Sequence, residues 1–283
     1  MHLQMAFSSN SSASSISLDT GKGHSKYTSK QVVHGYTKVK GKSRHAMEDY
    51  LVAEFRQVKS HELGLYAIYD GHLGHSVPDY LQRYLFDNIL KEPGFWVDPK
   101  KAIMKAYRRT DQVILEKAPV LGIGGSTAVT AILIDGRQLL VANVGDSRAV
   151  LCQAGVAIQL SVDHEPNKPS ERGNIEKKGG FVSNLPGDVP RVDGQLAVAR
   201  AFGDKSLKEH LSADPDIQEV PIDSSAEFLI LASDGLWKVM DNQDAVNFIR
   251  GLTDPQVAAK LLTDEALSRK SKDDISCIVV RFQ

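Results

Sequence analysis

The stretch Leu63-Gly64-Leu65-Tyr66-Ala67-Ile68-Tyr69-Asp70-Gly71-His72-Leu73-Gly74-His75 runs an apolar segment straight into an acid, a glycine and a histidine. Leu65 to Tyr69 carry no polar break, which is the pattern of a strand buried on both faces. A strand end needs a turn, and Gly71 and Gly74 supply one. It does not need Asp70 and His72, so these two residues call for another explanation.

Working outward, similar apolar runs recur at Tyr50–Ala53, Ala128–Ile134, Leu139–Val144, Ala149–Cys152, Phe228–Ala232 and Ile275–Phe282. Gly136, Gly145 and Gly155 punctuate the middle ones, which reads as successive antiparallel strands joined by short turns. Between the strand blocks, Val77, Leu81, Leu85 and Ile89 are spaced for one face of a helix over Val77–Leu90. Further helices are expected over Pro99–Lys117, Asn242–Arg250 and Asp254–Arg269, the last opening on a capping acid followed by proline. Strands and helices come in blocks. That favours an α+β layered domain over a doubly wound parallel sheet.

The 283 residues are 42% hydrophobic and 24% charged, with a net charge of -1. That length and balance fit a single domain with a sizeable core. The charge carries no basic surplus, so neither nucleic acid nor an anionic membrane is the expected partner. Cys152 and Cys277, the only cysteines, sit in apolar runs and read as buried free thiols. They suit a reducing compartment, the cytoplasm with the nucleus as a second place. The first residues are serine-rich, without the charged start and apolar middle of a secretory signal. The division expected is a flexible tail over residues 1–29 and one domain over residues 30–283.

Asp70 has counterparts. Asp234 ends the run in "EFLILASDGLW", Asp146 lies between two runs in "LLVANVGDSRAVL", Asp273 and Asp274 precede the last strand, and Glu48 and Asp49 precede an early one. One such acid is a cap or a turn residue. Five such places, gathered at one edge of a sheet, would crowd carboxylates whose mutual repulsion grows with burial. A bound cation relieves it, and an all-oxygen donor set selects a hard ion, Mg²⁺ or Mn²⁺. Two such ions roughly 4 Å apart can bind a phosphoryl group and activate water. That chemistry also needs a positive group and a proton donor. Arg44 can be the first or a surface ion pair; His72 can be the second or a cap.

The segments "RHAMED", "YDGHLG", "GGSTAV", "NVGDSRAV", "VDHEP", "GQLAVARAFGD", "SDGLW" and "KDDIS" stand in one order over nearly all of Val32 to Gln283. In this the chain resembles the type 2C metal-dependent serine/threonine protein phosphatases, and looks like a plant member. The resemblance implies two stacked antiparallel β-sheets flanked by helices, with metals at one end of the sandwich. It implies that Asp70 bridges two Mg²⁺ or Mn²⁺ ions, joined at one by Glu48 and the Gly71 carbonyl with Asp49 nearby through water. Asp234 and Asp273 would complete the other, and Asp146 would serve a third, weaker-binding metal. Arg44 would hold the substrate phosphate and His72 would be the general acid. The implied reaction is direct hydrolysis of phosphoserine or phosphothreonine in phosphorylated protein substrates, by water or hydroxide shared between the two ions.

Three positions depart from the family pattern. Lys238 stands where many relatives have an acid, which weakens a third metal site. Asp274 stands where many have asparagine, adding negative charge beside Asp273. Leu185 stands where the hormone-regulated plant relatives carry the tryptophan that engages their receptor, which speaks against that partnership. The segment from about Asp163 to Val192 reads as a mobile substrate-facing flap. Two other functions share these residues: a binding protein that keeps the fold without turnover, and an enzyme acting on a small phosphate compound.

Overall fold

The computed structural model describes residues 18–26, 31–42 and 45–282. Two antiparallel sheets stack face to face. The first runs in the order β1 (Leu18–His24), β2 (Val32–Val39), β15 (Ile275–Phe282), β14 (Ala226–Ala232), β8 (Arg148–Gln153) and β9 (Val156–Gln159). The second is built on β4 (His61–His72), which pairs β3 (Asp49–Val58) along one edge and β6 (Ala128–Ile134) along the other. It continues through β7 (Gln138–Val144) to β13 (Asp216–Pro221), with β5 (Gly125–Ser126) and β12 (Phe202–Gly203) added at the far end of β4. Helices α1 (Ser76–Lys91) and α2 (Pro99–Glu116) cover the outer face of the second sheet. Helices α6 (Asn242–Ile249) and α7 (Pro255–Ser268) cover that of the first. The short turns α3 (Ala118–Leu121) and α5 (Asp234–Trp237) and the flap elements α4 (Pro169–Lys177), β10 (Val182–Ser183) and β11 (Arg191–Val192) complete the chain.

The layered α+β fold is the one expected, and alternation along β4 explains its continuous apolar run. Leu63, Leu65, Ala67 and Tyr69 face α1 and α2, while Tyr66 and Ile68 face the other sheet. Both faces are buried, so no polar residue is tolerated until the strand leaves the sandwich. The expected start of α7 also holds: the Asp254 carboxylate accepts the N–H groups of Gln256 and Val257.

Three local readings change. Leu139–Val144 and Ala149–Cys152 are not partners in a hairpin; β7 lies in the second sheet and β8 in the first. The Gly145–Asp146–Ser147 turn therefore crosses between sheets, at Gly145 with φ 100°, a backbone angle that glycine adopts without strain. Leu18–His24, placed in the flexible tail by the sequence, pairs residue for residue with β2. Its glycines hide the strand: a Cβ on Gly21 would lie 2.5 Å from the Tyr36 ring, so packing there excludes the side chains that mark strands. The flap is not a plain loop either. It holds α4, the β10–β11 ribbon and a small core of Ile175, Val182, Val192, Ala199, Leu207 and Leu211.

Candidate metal centre

The same alternation that fills the sandwich aims the acids. On β3, Leu51 packs between the sheets, so Asp49 two residues earlier points the same way. On β4, Ile68 does so, and hence Asp70. Asp49 and Asp70 are directly opposite in the β3–β4 register. On β14, Leu229 and Leu231 face between the sheets and Ser233 continues that line. Asp234 follows at the first position of α5. The crossing turn brings in Asp146. The apolar filling thus ends in a layer of carboxylates from both sheets, and oxygen atoms of Asp70, Asp146 and Asp234 lie within 4.8 Å of one another.

Without a cation this layer is electrostatically expensive. Burial, then the neighbouring Asp49, Asp234, Asp146 and Asp273, holds the Asp70 carboxyl well above the usual carboxylate range. Asp146 is raised by burial and by Asp234, against the pull of Lys238. Burial also raises Asp234; Lys238 opposes it and Asp273 adds to it. Asp49 is pushed up to about 7 by burial, with the Ser276 and Ser233 hydroxyls opposing and Asp274 and Asp234 adding. The Ser233 hydroxyl donates to Asp49 Oδ2 at 2.9 Å. Asp49 Oδ1 and Asp234 Oδ1 are buried with no hydrogen-bond partner. Orphaned carboxylate oxygens beside a three-acid cluster fit a divalent cation with oxygen ligands.

Glu48 lies at the rim. Its Oε1 accepts the Gly74 N–H at 2.8 Å, its carbonyl accepts the Gly71 N–H at 3.2 Å, and its Oε2 lies 3.4 Å from His45 Nδ1. A Cβ on Gly71 would meet Glu48 O at 2.8 Å and the Pro78 ring at 2.6 Å, so close packing alone already demands glycine there. Asp273 stands outside the three-acid cluster, 43% exposed, and its Oδ2 accepts Lys238 Nζ at 3.1 Å. Lys238 also pairs with Asp234. Burial pulls the Lys238 ammonium down, and Asp234 and Asp273 more than reverse this and raise it. The extra charge expected at Asp274 is instead enclosed: its carboxylate accepts hydrogen bonds from Lys40, Gly41 and Glu48. Arg44 lies outside the described residues.

His72 has a partner that the spacing of strand-end acids did not reveal. Its Nε2 lies 2.8 Å from both carboxylate oxygens of Asp204, an acceptor pair that orients the imidazole ring. Asp204 is 3% exposed and holds φ 53°. A Cβ on Gly125 would lie 2.1 Å from Asp204 Oδ2 and 2.6 Å from His72 Nε2, so this glycine leaves room for the pair. Asp204 ends the "GQLAVARAFGD" segment, where Arg200 breaks the apolar residues, and so it does not read as a strand-end acid. His164 was also missed. Fully buried, it accepts the Gly145 N–H at Nδ1 (3.0 Å), lies 2.8 Å from Asp216 through Nε2, and so holds the turn that carries Asp146. Across the cleft from the acids the flap contributes Arg191, Gln195 and Leu196. Arg191 is paired with Asp188 at 2.8 Å.

A family model described as "Protein phosphatase 2C" matches residues 34–275. The chain belongs to the protein phosphatase 2C family. It is 66% identical over 269 residues to probable protein phosphatase 2C 44 of Oryza sativa subsp. japonica, covering 95% of this chain and 84% of the relative. It is likewise 66% identical to probable protein phosphatase 2C 39 of Arabidopsis thaliana, over 96% and 93% of the two chains. Among solved structures, that of a phosphatase from a pathogenic strain of Toxoplasma gondii superposes with a TM-score of 0.81 at 25% identity, covering 94% of this chain and 96% of that one. The chain is thus a plant-like member of this family of phosphatase enzymes. No helix among the described residues is long and apolar enough to cross a membrane.

Proposed function

We propose that the chain hydrolyses phosphoserine and phosphothreonine in protein substrates with two Mg²⁺ or Mn²⁺ ions. Asp70, Asp234 and Glu48 would hold the ions, with the Gly71 carbonyl, Asp49 and Asp273 completing the set and Asp146 serving a third site. The observation that carries this reading is the layer of carboxylates formed by the buried Asp49 and the half-buried Asp70, Asp146 and Asp234. Its carboxyl pKa values are all raised and two of its oxygens are orphaned. When bound, such ions supply the positive charge that activates the attacking water and receives the phosphoryl oxygens. The protein's own part is to place the donors, to hold the phosphate by Arg44, and to return a proton to the leaving oxygen from His72 Nδ1, with Asp204 fixing the ring. With Leu185, 64% exposed, at the place of the receptor-engaging tryptophan, the proposal includes no hormone-receptor partner.

The test is phosphate release from a phosphothreonine peptide with Mn²⁺ or Mg²⁺ added, then with chelator. Metal-dependent release that chelator abolishes is expected. A folded sample that releases no phosphate at any metal concentration would move the reading to a binding protein or to an enzyme acting on a small phosphate compound.

A further inference from the structure

Asp273 and Asp274 are adjacent in sequence and opposite in surroundings. Asp273 faces solvent and Lys238. The Asp274 side chain is 4% exposed and spends its two oxygens on one segment of chain. Oδ1 accepts the Gly41 N–H at 2.8 Å and Lys40 Nζ at 3.1 Å. Oδ2 accepts the Glu48 N–H at 3.0 Å. The two amides lie seven residues apart, at either end of the crossing that leaves β2 in one sheet and enters β3 in the other. The same crossing is zipped to the approach to β15 at a second point, where the Lys42 N–H donates to the Lys272 carbonyl at 2.9 Å. A Cβ on Gly41 would lie 2.2 Å from the Asp273 carbonyl oxygen, so glycine is what lets the two segments touch.

From this we infer that Asp274 is a positioning residue. It fixes Gly41 and Glu48 against the start of β15, and so sets where Glu48 stands relative to Asp273. The clamp follows from the hydrogen bonds alone; its consequence for metal binding rests on the reading under Proposed function. An aspartate suits the task better than an asparagine. Three donors converge on it, and an amide would turn its NH₂ toward one of them. Its charge is offset by Lys40, and charge-assisted bonds to backbone amides are the stronger kind.

The experiment compares wild type, Asp274→Ala, Asp274→Asn and Gly41→Ala in two measurements. Hydrogen exchange on the metal-free protein reads the Gly41 and Glu48 amides directly. In Asp274→Ala both should lose protection, while amides inside β4 and β14 keep theirs. Calorimetry with Mn²⁺ should show affinity falling by about tenfold or more, the usual effect of removing a group that orients a ligand. Asp274→Asn should fall between. Gly41→Ala, which leaves Asp274 intact but wedges the segments apart, should reproduce the loss and carries the test if Asp274→Ala does not fold. Val279→Ala, a core truncation away from the cleft, should lower the melting temperature and leave Mn²⁺ affinity unchanged. The inference fails if the folded variants keep wild-type protection at the two amides, or lose it with no change in Mn²⁺ affinity. If the wild type itself binds no Mn²⁺, the metal reading falls instead, and exchange alone decides the clamp.

Discussion

The β3–β4 edge of the acid layer meets its charges with neutral donors, whereas the β14–β15 edge meets its own with an ammonium. Glu48 receives the Gly74 N–H and Asp49 the Ser233 hydroxyl. Asp234 and Asp273 share Lys238. Backbone amides and a buried hydroxyl cannot leave, so the first edge is built before any ion arrives. The ammonium sits on a flexible stem that is 55% exposed, and it can swing away. One edge is a preformed ligand set; the other carries a tethered cation where a divalent ion is proposed to bind.

Asp70 lies on the β3–β4 edge and is proposed to touch both ions, so its loss should have the largest effect. Asp70→Asn removes a group that would touch both ions. Losing several kcal/mol of transition-state charge stabilisation corresponds to roughly a thousandfold in rate. Because asparagine has no proton to take up on folding, the metal-free variant should melt higher than wild type above about pH 4. Phosphate release and a melting curve in chelator check both statements. A folded variant of full activity would remove the two-ion reading.

The general acid comes next. Asp204→Asn deprives His72 of its carboxylate, and Gly125→Ala pushes a methyl into the pair. Each should lower kcat on a phosphothreonine peptide by about a hundredfold, the usual size of acid–base assistance. An aryl phosphate, whose leaving oxygen needs little protonation, should be nearly spared. Equal losses on both substrates would take the acid role from His72.

Much of this was legible in the sequence because burial on both faces leaves a strong mark. The runs ending at Asp70 and Asp234 read as inner strands, and an acid at such an end stands out. Asp204 and His164 left no such mark. Asp204 reaches His72 from the far end of the flap at a positive φ, and His164 acts through backbone groups of Gly145. Asp274 showed as a charge, and only the fold reveals the three donors around it. β1 was silent because the rings of Tyr36 and His34 occupy the space its side chains would need.

Protons offer a third way to test the contrast. Asp49 is pushed up to about 7 and Asp70 well above its usual range, so in the metal-free fold these groups hold protons that the unfolded chain releases near pH 4. The stabilising contribution of Asp49 is complete below about pH 4 and is lost as pH rises through about 7, and that of Asp70 is lost in the same direction. In chelator the melting temperature should therefore fall between about pH 4 and pH 8, less the opposing effect of the ordinary surface carboxylates. Saturating Mn²⁺ should cancel most of the fall above pH 6. A metal-free protein whose stability rises across that window would mean that the acid layer is open to water.

The smallest effect is expected at Lys238. Lys238→Met removes the cation from Asp234 and Asp273 without adding a ligand. If the ammonium only stands in for an ion, the metal-free variant should melt lower, mainly through the largely enclosed Asp234 and little through the exposed pair with Asp273. Mn²⁺ affinity should rise by a few fold, because the ion no longer displaces a charge of its own sign. The gain should shrink at high salt, as screening weakens the competition. A fall in affinity would instead make Lys238 a support that orients the two carboxylates. The β14–β15 edge would then be as preformed as its counterpart, and the contrast between the two edges would lie only in the kind of donor each uses.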